Sequence, residues 1–302
     1  MKNILLIILL GVSLILFKDQ QAQTYTTQTE VLSSGGGTST GGTLSNFGVV
    51  GETFVNDATT ANNLTNYSGF IYTSGFEIQL TIDVQAFLEG PFNTTSMTTH
   101  LNLFGLLPSS QPYNVAPWNY TGTENVGSIP TNAVDWILIE LRDAPDATSA
   151  TSATALSQQA AFILSDGSIV GLDGASNLQF NNSITQQLFV VIYHRNHLSI
   201  MSANPLTETS GVYSYDFNDD VNKAFGGEIA QTEIATGIWG MMAGDADANG
   251  QIDNVDKNDH WLIQNGSPPD YLQSDFNFNA FVTIEDKDKW ESNSGKASQV
   301  PE

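Results

Sequence analysis

Two stretches near the C-terminus share one spacing of oxygen-bearing side chains, and this repeat constrains the fold more than any other feature of the 302 residues. Residues 244–256 read GDADANGQIDNVD, and residues 274–286 read SDFNFNAFVTIED. In each stretch, polar side chains recur at alternate positions and end at a closing Asp. This spacing places oxygens on the concave side of a turn, as a hard cation such as Ca²⁺ requires for its roughly six to eight oxygen ligands.

The first stretch fills every ligand position of a twelve-residue calcium loop, which uses positions 1, 3, 5, 7, 9 and 12, the seventh through its backbone carbonyl. Gly250 lies at position 6, where it permits the sharp turn, and the second stretch has Ala280 there. We call residues 245–256 loop 1 and residues 275–286 loop 2. The predicted ligands are Asp245, Asp247, Asn249, Gln251, Asp253 and Asp256 in loop 1, and Asp275, Asn277, Asn279, Phe281, Thr283 and Asp286 in loop 2.

The two loops differ in charge. Loop 1 has four carboxylates among its side-chain ligands, whereas loop 2 has two, Asp275 and Asp286. Because Ca²⁺ affinity rises with ligand charge and site rigidity, we expect both loops to bind Ca²⁺ and loop 1 to bind it more tightly.

The residues around the loops predict how the two halves fit together. Ile252 and Val282, both β-branched, occupy position 8 and are expected to pair the loops side by side as a short sheet. A short helix is predicted after each loop, over KNDHWLIQ and KDKWES, with Trp261 and Trp290 packing between the halves. So small a segment buries little apolar surface, so bound metal is expected to contribute to its folding free energy.

This tandem repeat, over residues 243–292, resembles the dockerin family, in which two EF-hand-type calcium loops are each followed by a helix. The resemblance implies docking onto a cohesin-like partner on a scaffold or cell surface. It also implies contact residues at positions 10 and 11, which here are Asn254-Val255 and Ile284-Glu285. The loops leave a second role open, that of a calcium-dependent structural staple that docks to nothing.

The charge of the chain limits its partners. With 32 acidic against 9 basic residues, the net charge is −23. Nucleic acid is excluded as a partner because phosphate binding depends on neutralisation by Lys and Arg. The absence of Cys excludes disulfides, thiol chemistry and a lipid-modified Cys anchor.

The order of segments predicts an exported bacterial protein. Residues 1–23 have a basic start, the apolar run ILLIILLGVSLILF and a polar end, which is typical of a secretory signal peptide. The run is shorter than the roughly 20 residues of a membrane span, so no span is expected after cleavage. We expect a β-rich segment over 24–77, a β-sandwich over 78–240 and the dockerin-like module over 241–302, in a secreted or cell-surface protein.

The middle of the chain predicts a mainly β fold, an antiparallel β-sandwich followed by the small C-terminal α-helical module. Runs such as EIQLTIDVQAFL, AVDWILIELRD and QQLFVVIYHRNHLSIM are rich in β-branched and aromatic residues and are bounded by turn residues. Asp166-Gly167 lies between two apolar runs and predicts a hairpin. One short helix is predicted within TSMTTHLNLFGLL.

Several polar and aromatic residues of this region leave two interpretations open. Glu140 and Arg142 share one face of a strand and predict an ion pair. Arg142 and Arg195 either stabilise strand ends or bind a ligand. The Pro-rich segment 106–122 predicts a surface connection. Its aromatic side chains either cover the core or form a flat platform for sugar rings; they are Tyr113, Trp118 and Tyr120.

No motif establishes an enzyme. GTSTG at residues 37–41 lacks the strand-to-helix context of a nucleophile elbow. His194 and His197 are expected on opposite sides of a strand, which argues against a zinc site. Residues 215–222 suggest either a third calcium site or a solvated loop. Three acids are candidates for paired carboxylates, although nothing singles out a pair; they are Asp135, Glu140 and Asp216.

These observations predict a secreted, non-catalytic surface or matrix protein that binds calcium and uses a β-sandwich for adhesion or for carbohydrate or protein contact. The region before the loops, with FLEGPFN and YHRNHLSIM, resembles a module that precedes such repeats in surface proteins of Bacteroidota-type bacteria. Two alternatives remain: a dockerin-bearing enzyme that degrades polysaccharide, and a structural subunit of an extracellular assembly.

Overall fold

The computed structural model describes residues 79–302 and the backbone of four short strands nearer the N-terminus. The predicted signal peptide lies outside the described residues. The chain divides between residues 76 and 77 into two units. In the first, β1 pairs with β2 and β3 with β4, all antiparallel; the GTSTG motif is part of β1 and therefore lies in a strand. The four strands are β1 Gly35–Gly41, β2 Leu44–Val50, β3 Ala58–Ala61 and β4 Leu64–Tyr67.

The second unit is mainly β, as predicted. Its strands are β5 Gln79–Gln85, β6 Phe92–Asn93, β7 Ser96–Met97, β8 Ala133–Ala144, β9 Ala155–Leu164, β10 Ser168–Val170, β11 Leu178–Asn181, β12 Gln187–Tyr193, β13 Ile200–Met201, β14 Thr207–Thr209, β15 Val212–Asp216, β16 Gln231–Ala235 and β17 Ile238–Met241. Its helices are α1 His100–Leu103, α2 Leu262–Gln264 and α3 Ile284–Asn293, with 3₁₀ turns at Ala147–Ser149, Ser152–Thr154, Val221–Lys223 and Gly227–Ile229 and a π-helical turn at Asp256–Trp261.

One nine-stranded sheet forms the body of this unit. The strand order is β13-β12-β8-β9-β10-β5-β15-β14, and β11 also pairs with β5. Every pairing is antiparallel except that of β15 with β5. The predicted hairpin is confirmed between β9 and β10, where Gly167 has a φ of +88°.

The sheet curls so that its two halves enclose one core. In β5 the side chains alternate, with Leu80, Ile82 and Val84 buried and the residues between them partly exposed. These three belong to the same apolar cluster as Trp136 and Phe162, on β8 and β9. All twelve residues of β8 are buried, because β9 and β12 flank it and both of its faces are covered.

The Pro-rich connection closes one end of this core. Tyr113 is fully buried, and its hydroxyl donates to the carbonyl of Trp136 at 2.8 Å. Trp118 packs edge-on against Tyr113, and Tyr120 also packs against the core. The segment therefore covers the core instead of offering a flat sugar-binding platform. Among the described residues, no helix is long and apolar enough to cross a membrane.

Candidate metal centre

The side-chain oxygens of loop 1 organise its own backbone. The carboxylate of Asp245 accepts hydrogen bonds from the amides of Asn249 and Gly250, each at 3.0 Å. The closing Asp256 accepts from the amides of Ala246 and Asp253, each at 2.7 Å. The carboxylates of the first and last predicted ligands thus close the loop into a ring.

Loop 2 repeats this network residue by residue. Asp275 accepts from the amides of Asn279 and Ala280, at 3.2 and 2.9 Å. Asp286 accepts from the amides of Phe276 and Thr283, each at 2.8 Å. The two loops therefore have the same fold, as their common spacing predicts.

The turn at position 6 is left-handed in both loops. Gly250 has a φ of +83°, and Ala280 has a φ of +75°. A left-handed backbone costs an L-residue other than Gly roughly 1–2 kcal/mol. Position 4 is also left-handed in both loops, at Ala248 and Phe278, so loop 2 has one strained residue more than loop 1.

Three predicted ligands of loop 1 converge. One carboxylate oxygen from each of Asp245, Asp247 and Asp256 lies within 4.8 Å of the others. Asp253 is not part of this cluster; its carboxylate accepts from the amide of Val255 at 2.6 Å. The three acids form a set of hard oxygen ligands that fits Ca²⁺.

Loop 2 brings together fewer charges. Asp275 and Asp286 are buried, and positions 3 and 5 carry amides that accept backbone N–H groups of the loop. The hydroxyl of Thr283 caps α3 by accepting from the amide of Glu285. Phe281 has an exposed side chain and offers only its carbonyl as a ligand.

Burial raises the pKa of the first and last carboxyl of each loop and so makes them hard to ionise without a cation. It raises the pKa of Asp245 to about 8, and the neighbouring Asp256 adds to this shift. It raises the pKa of Asp275 to about 7, with Arg195 opposing the shift and Asp286 adding to it. A bound cation relieves this cost, since it stabilises the charged form.

These shifts predict that proton release accompanies cation binding. Because the folded pKa of Asp245 is raised, its contribution to the stability of the cation-free fold is present below about pH 4 and is lost as pH rises through about 8. A cation must displace the proton, so we expect Ca²⁺ affinity at loop 1 to fall by up to about tenfold per pH unit below pH 8. Calorimetric titrations at about pH 6 and about pH 9 measure this; equal affinities at both would contradict it.

Reciprocal contacts join the two halves. Trp261, which follows loop 1, donates its indole N–H to the carbonyl of Thr283 in loop 2 at 2.8 Å. Trp290, which follows loop 2, donates to the carbonyl of Asp253 in loop 1 at 2.7 Å. Both tryptophans therefore lie between the halves, as predicted.

The predicted direct pairing of Ile252 with Val282 is wrong. Each of these residues instead accepts a hydrogen bond from a glycine that follows the helix of the other half. Gly295 donates to the carbonyl of Ile252 at 2.7 Å, and Gly266 donates to the carbonyl of Val282 at 3.0 Å. The reason is that each glycine follows the end of a helix and has a positive φ. This conformation turns the chain back, so that each glycine lies beside the opposite loop.

Loop 2 is attached to the sheet through the turn after β12. Arg195 pairs with Asp135 of β8 at 2.8 Å and donates to the carbonyl of Leu272 at 2.6 Å. The side-chain amide of Asn196 donates to the carbonyls of Gln273 and Asp275, at 2.8 and 3.0 Å. The sequence pattern contains no signal for these contacts, because the partners are 60 to 79 residues apart.

A close backbone approach adds to this attachment. A Cβ atom on Gly90 would lie 1.6 Å from the carbonyl oxygen of Phe276, so only Gly fits there. The amide of Gly90 donates to His197 at 3.3 Å. Loop 2 thus lies directly against the sheet region.

The expectation that His194 and His197 face opposite sides of a strand is wrong. Residues 194–197 form a turn after β12, and the two rings pack edge to face, with Nδ1 atoms 3.2 Å apart. Burial lowers the pKa of both rings, the neighbouring Asp135 opposing this at His194. Both rings also pack against Phe278 of loop 2, so the pair is part of the loop attachment.

The acids considered for catalysis are mostly engaged in structural contacts. Asp135 is fully buried; burial alone would raise its pKa, but Arg195, His194 and Tyr271 lower it overall. Glu140 pairs with Arg142 at 2.7 Å, as predicted. Asp216 lies with Asp83 in a groove of about 450 Å³ beside β5 and β15. Its other lining residues are Gln85, Asn204, Pro205, Thr207, Ser214, Tyr215 and Lys223.

Comparison with known proteins adds one weak similarity. No protein-family model and no curated protein matches the chain. Among solved structures, the chain is similar to a chain of a type II cohesin–X-dockerin complex from Acetivibrio cellulolyticus, an N-terminal interface mutant. The two share 13% identity with a TM-score of 0.35, over 72% of this chain and 97% of the other. This similarity is too low to carry an argument about fold or partner.

Proposed function

We propose that this chain is an exported, non-catalytic surface protein that binds two Ca²⁺ ions through loops 1 and 2 and attaches to a protein partner through its C-terminal segment. The observation that carries the proposal is the cluster of Asp245, Asp247 and Asp256 within a loop whose internal hydrogen bonds recur in loop 2. The β-fold does not require two copies of this arrangement, because both loops lie outside its strands, and the repeat therefore supports a role in cation binding.

The charges around the loops support tighter binding at loop 1. Loop 1 brings three carboxylates together. Loop 2 has two, and the guanidinium of Arg195 acts on Asp275. The strained turn at Ala280 adds to this difference. A cation at loop 2 therefore meets less negative charge, and the backbone around it has a strained residue at Ala280.

The order of affinities is tested by silencing one loop at a time. We expect Asp245→Asn to remove the tighter of two calorimetric binding events and Asp275→Asn to remove the weaker one. The difference between the sites is expected to be about tenfold or more, equivalent to about 1.4 kcal/mol, because Ca²⁺ affinity rises with ligand charge and site rigidity. The matched control is Asp259→Asn, an acid next to loop 1 that is not a predicted ligand. Equal affinities, or a tighter loop 2, would contradict the predicted order.

Exposed apolar side chains support attachment through this segment. Leu262 and Ile263 on α2 are 62% and 72% exposed, and Ile284 at position 10 of loop 2 is 57% exposed. Val255, at position 11 of loop 1, is also exposed. The hydrogen bond from Trp261 to Thr283 brings α2 beside the start of α3. A partner with a complementary apolar face, of the cohesin kind, suits these residues.

Attachment is tested by binding to a panel of cohesin modules with and without chelator. We expect Leu262→Asp with Ile284→Asp to abolish binding while Ca²⁺ affinity stays within about twofold, because neither side chain is a predicted ligand. A glycan array run in parallel tests the groove at Asp83 and Asp216 as a site of carbohydrate contact. Binding that survives both substitutions would show that the partner uses another surface.

A further inference from the structure

The C-terminal tail, residues 295–302, runs antiparallel beside loop 1. Gly295 donates to the carbonyl of Ile252 at 2.7 Å, and Ile252 donates back to the carbonyl of Lys296 at 2.9 Å. Ser298 donates to the carbonyl of Gly250 at 2.8 Å. Three backbone hydrogen bonds therefore fix residues 250–252, which form the turn of the loop.

This pairing determines the direction of one predicted ligand. Gln251 lies opposite Ala297, between the two residues that bond to the tail. In an antiparallel pair, successive residues direct their N–H and C=O groups to opposite sides. The carbonyl of Gly250 and both backbone groups of Ile252 bond to the tail, so the N–H and C=O of Gln251 point away from the tail and into the loop. Its amide indeed donates to the side chain of Asn249 at 2.8 Å.

The far end of the tail is anchored on the sheet. The hydroxyl of Ser298 donates to the carbonyl of Ser199 at 3.0 Å. Arg142, buried in β8, donates to the carbonyl of Pro301 at 2.8 Å. Val300 packs against a separate buried cluster, which consists of Ala144, Ala150, Phe189, Val191 and Met201.

Among the residues that the structure describes, loop 2 has no equivalent of this contact. Gly266 donates to Val282 as Gly295 does to Ile252. Three residues further along, however, Pro269 stands where the tail has Ser298. Proline has no N–H to donate. Pro269 therefore cannot donate to Ala280 the backbone hydrogen bond that Ser298 donates to Gly250.

We infer that the tail is a strap that presents the Gln251 carbonyl to the cation in loop 1 and raises the affinity of that loop. This inference rests on the proposed binding of Ca²⁺. The strap positions the ligand and does not itself contact the cation. It gives loop 1 an advantage that is independent of its carboxylate count.

The test is the pair Ser298→Pro and Ser298→Ala, each measured in an Asp275→Asn background that silences loop 2. Both variants lose the hydroxyl, but only the proline variant loses the amide that holds Gly250. We expect Ser298→Pro to weaken Ca²⁺ binding at loop 1 about fivefold to tenfold relative to Ser298→Ala, as the loss of one backbone hydrogen bond implies. In an Asp245→Asn background, the same pair is expected to leave loop 2 unchanged within about twofold.

A truncated protein lacking residues 299–302 gives a second, independent measurement, and it decides the matter if the proline variant does not fold. It keeps the three backbone hydrogen bonds to loop 1 and the contact of Ser298 with Ser199, and it loses the contacts of Val300 and Pro301 with the sheet. We expect hydrogen exchange at the amide of Ile252 to speed up several-fold, since that amide donates to the tail. Unchanged affinity and exchange would overturn the strap and leave calcium binding intact. Absence of Ca²⁺ binding by the unsubstituted protein would overturn both.

Discussion

Adding Ca²⁺ to the chelated protein is expected to stabilise it by about 4 kcal/mol at a free concentration of about 1,000 times the Kd of loop 1. The reason is that the cation binds only the folded loop, in which Asp245, Asp247 and Asp256 are already close together. The cation also removes the cost of burying Asp245 and Asp256, since burial raises the pKa of both carboxyls. Urea unfolding followed by circular dichroism, with and without chelator, measures the difference.

The control for this prediction is the variant Asp245→Asn with Asp275→Asn. It is expected to unfold at one urea concentration whether or not Ca²⁺ is present, since both loops have lost their first ligand. Mg²⁺ at the same concentration is expected to stabilise the unsubstituted protein much less, because it demands a smaller and more regular site. Equal stability in chelator and in Ca²⁺ would refute calcium binding by the loops.

The substitution Asp135→Asn is expected to cost about 3–5 kcal/mol of unfolding free energy. It leaves the guanidinium of Arg195 without its counter-charge, at a position where both side chains are buried. Arg195 also holds the carbonyl of Leu272 at the entry to loop 2. We therefore expect Ca²⁺ affinity at loop 2 to fall as well. Denaturant unfolding and calcium titration measure the two effects.

Glu140→Gln is the matched control, because it leaves Arg142 unpaired in the same strand. It is expected to lower stability by a comparable amount, and it should leave Ca²⁺ affinity at loop 2 unchanged within about twofold. A variant Asp135→Asn with unaltered loop 2 affinity would show that Arg195 stabilises the fold without supporting the loop.

Local features of this chain were predictable from residue spacing. The two loops, the helices after them, the hairpin at Gly167 and the pair of Glu140 with Arg142 all depend on residues close together in sequence. In each case the controlling physics acts over a few residues: the period of a strand, the φ allowed to Gly, or the wrapping of oxygens around one turn. The mainly β fold followed from composition and turn residues in the same way.

The failed predictions concern either where a strand ends or which distant segment lies beside a loop. Ile252 pairs with the tail and not with Val282, and His194 with His197 forms one buried pair because the strand ends before them. Periodicity describes which side of an element a residue faces. It contains no information about where that element stops or which segment arrives beside it.

The sequence by itself determined which oxygens each loop offers and how many charges each carries, because a twelve-residue ring is closed by its own side chains. Only the tertiary structure decided how the loops are held. Loop 2 is attached through Arg195 and Asn196, and loop 1 through a tail that ends on Arg142. These partners meet because the curled sheet brings the turn after β12 and the C-terminus to the same region, and no local pattern encodes that closure.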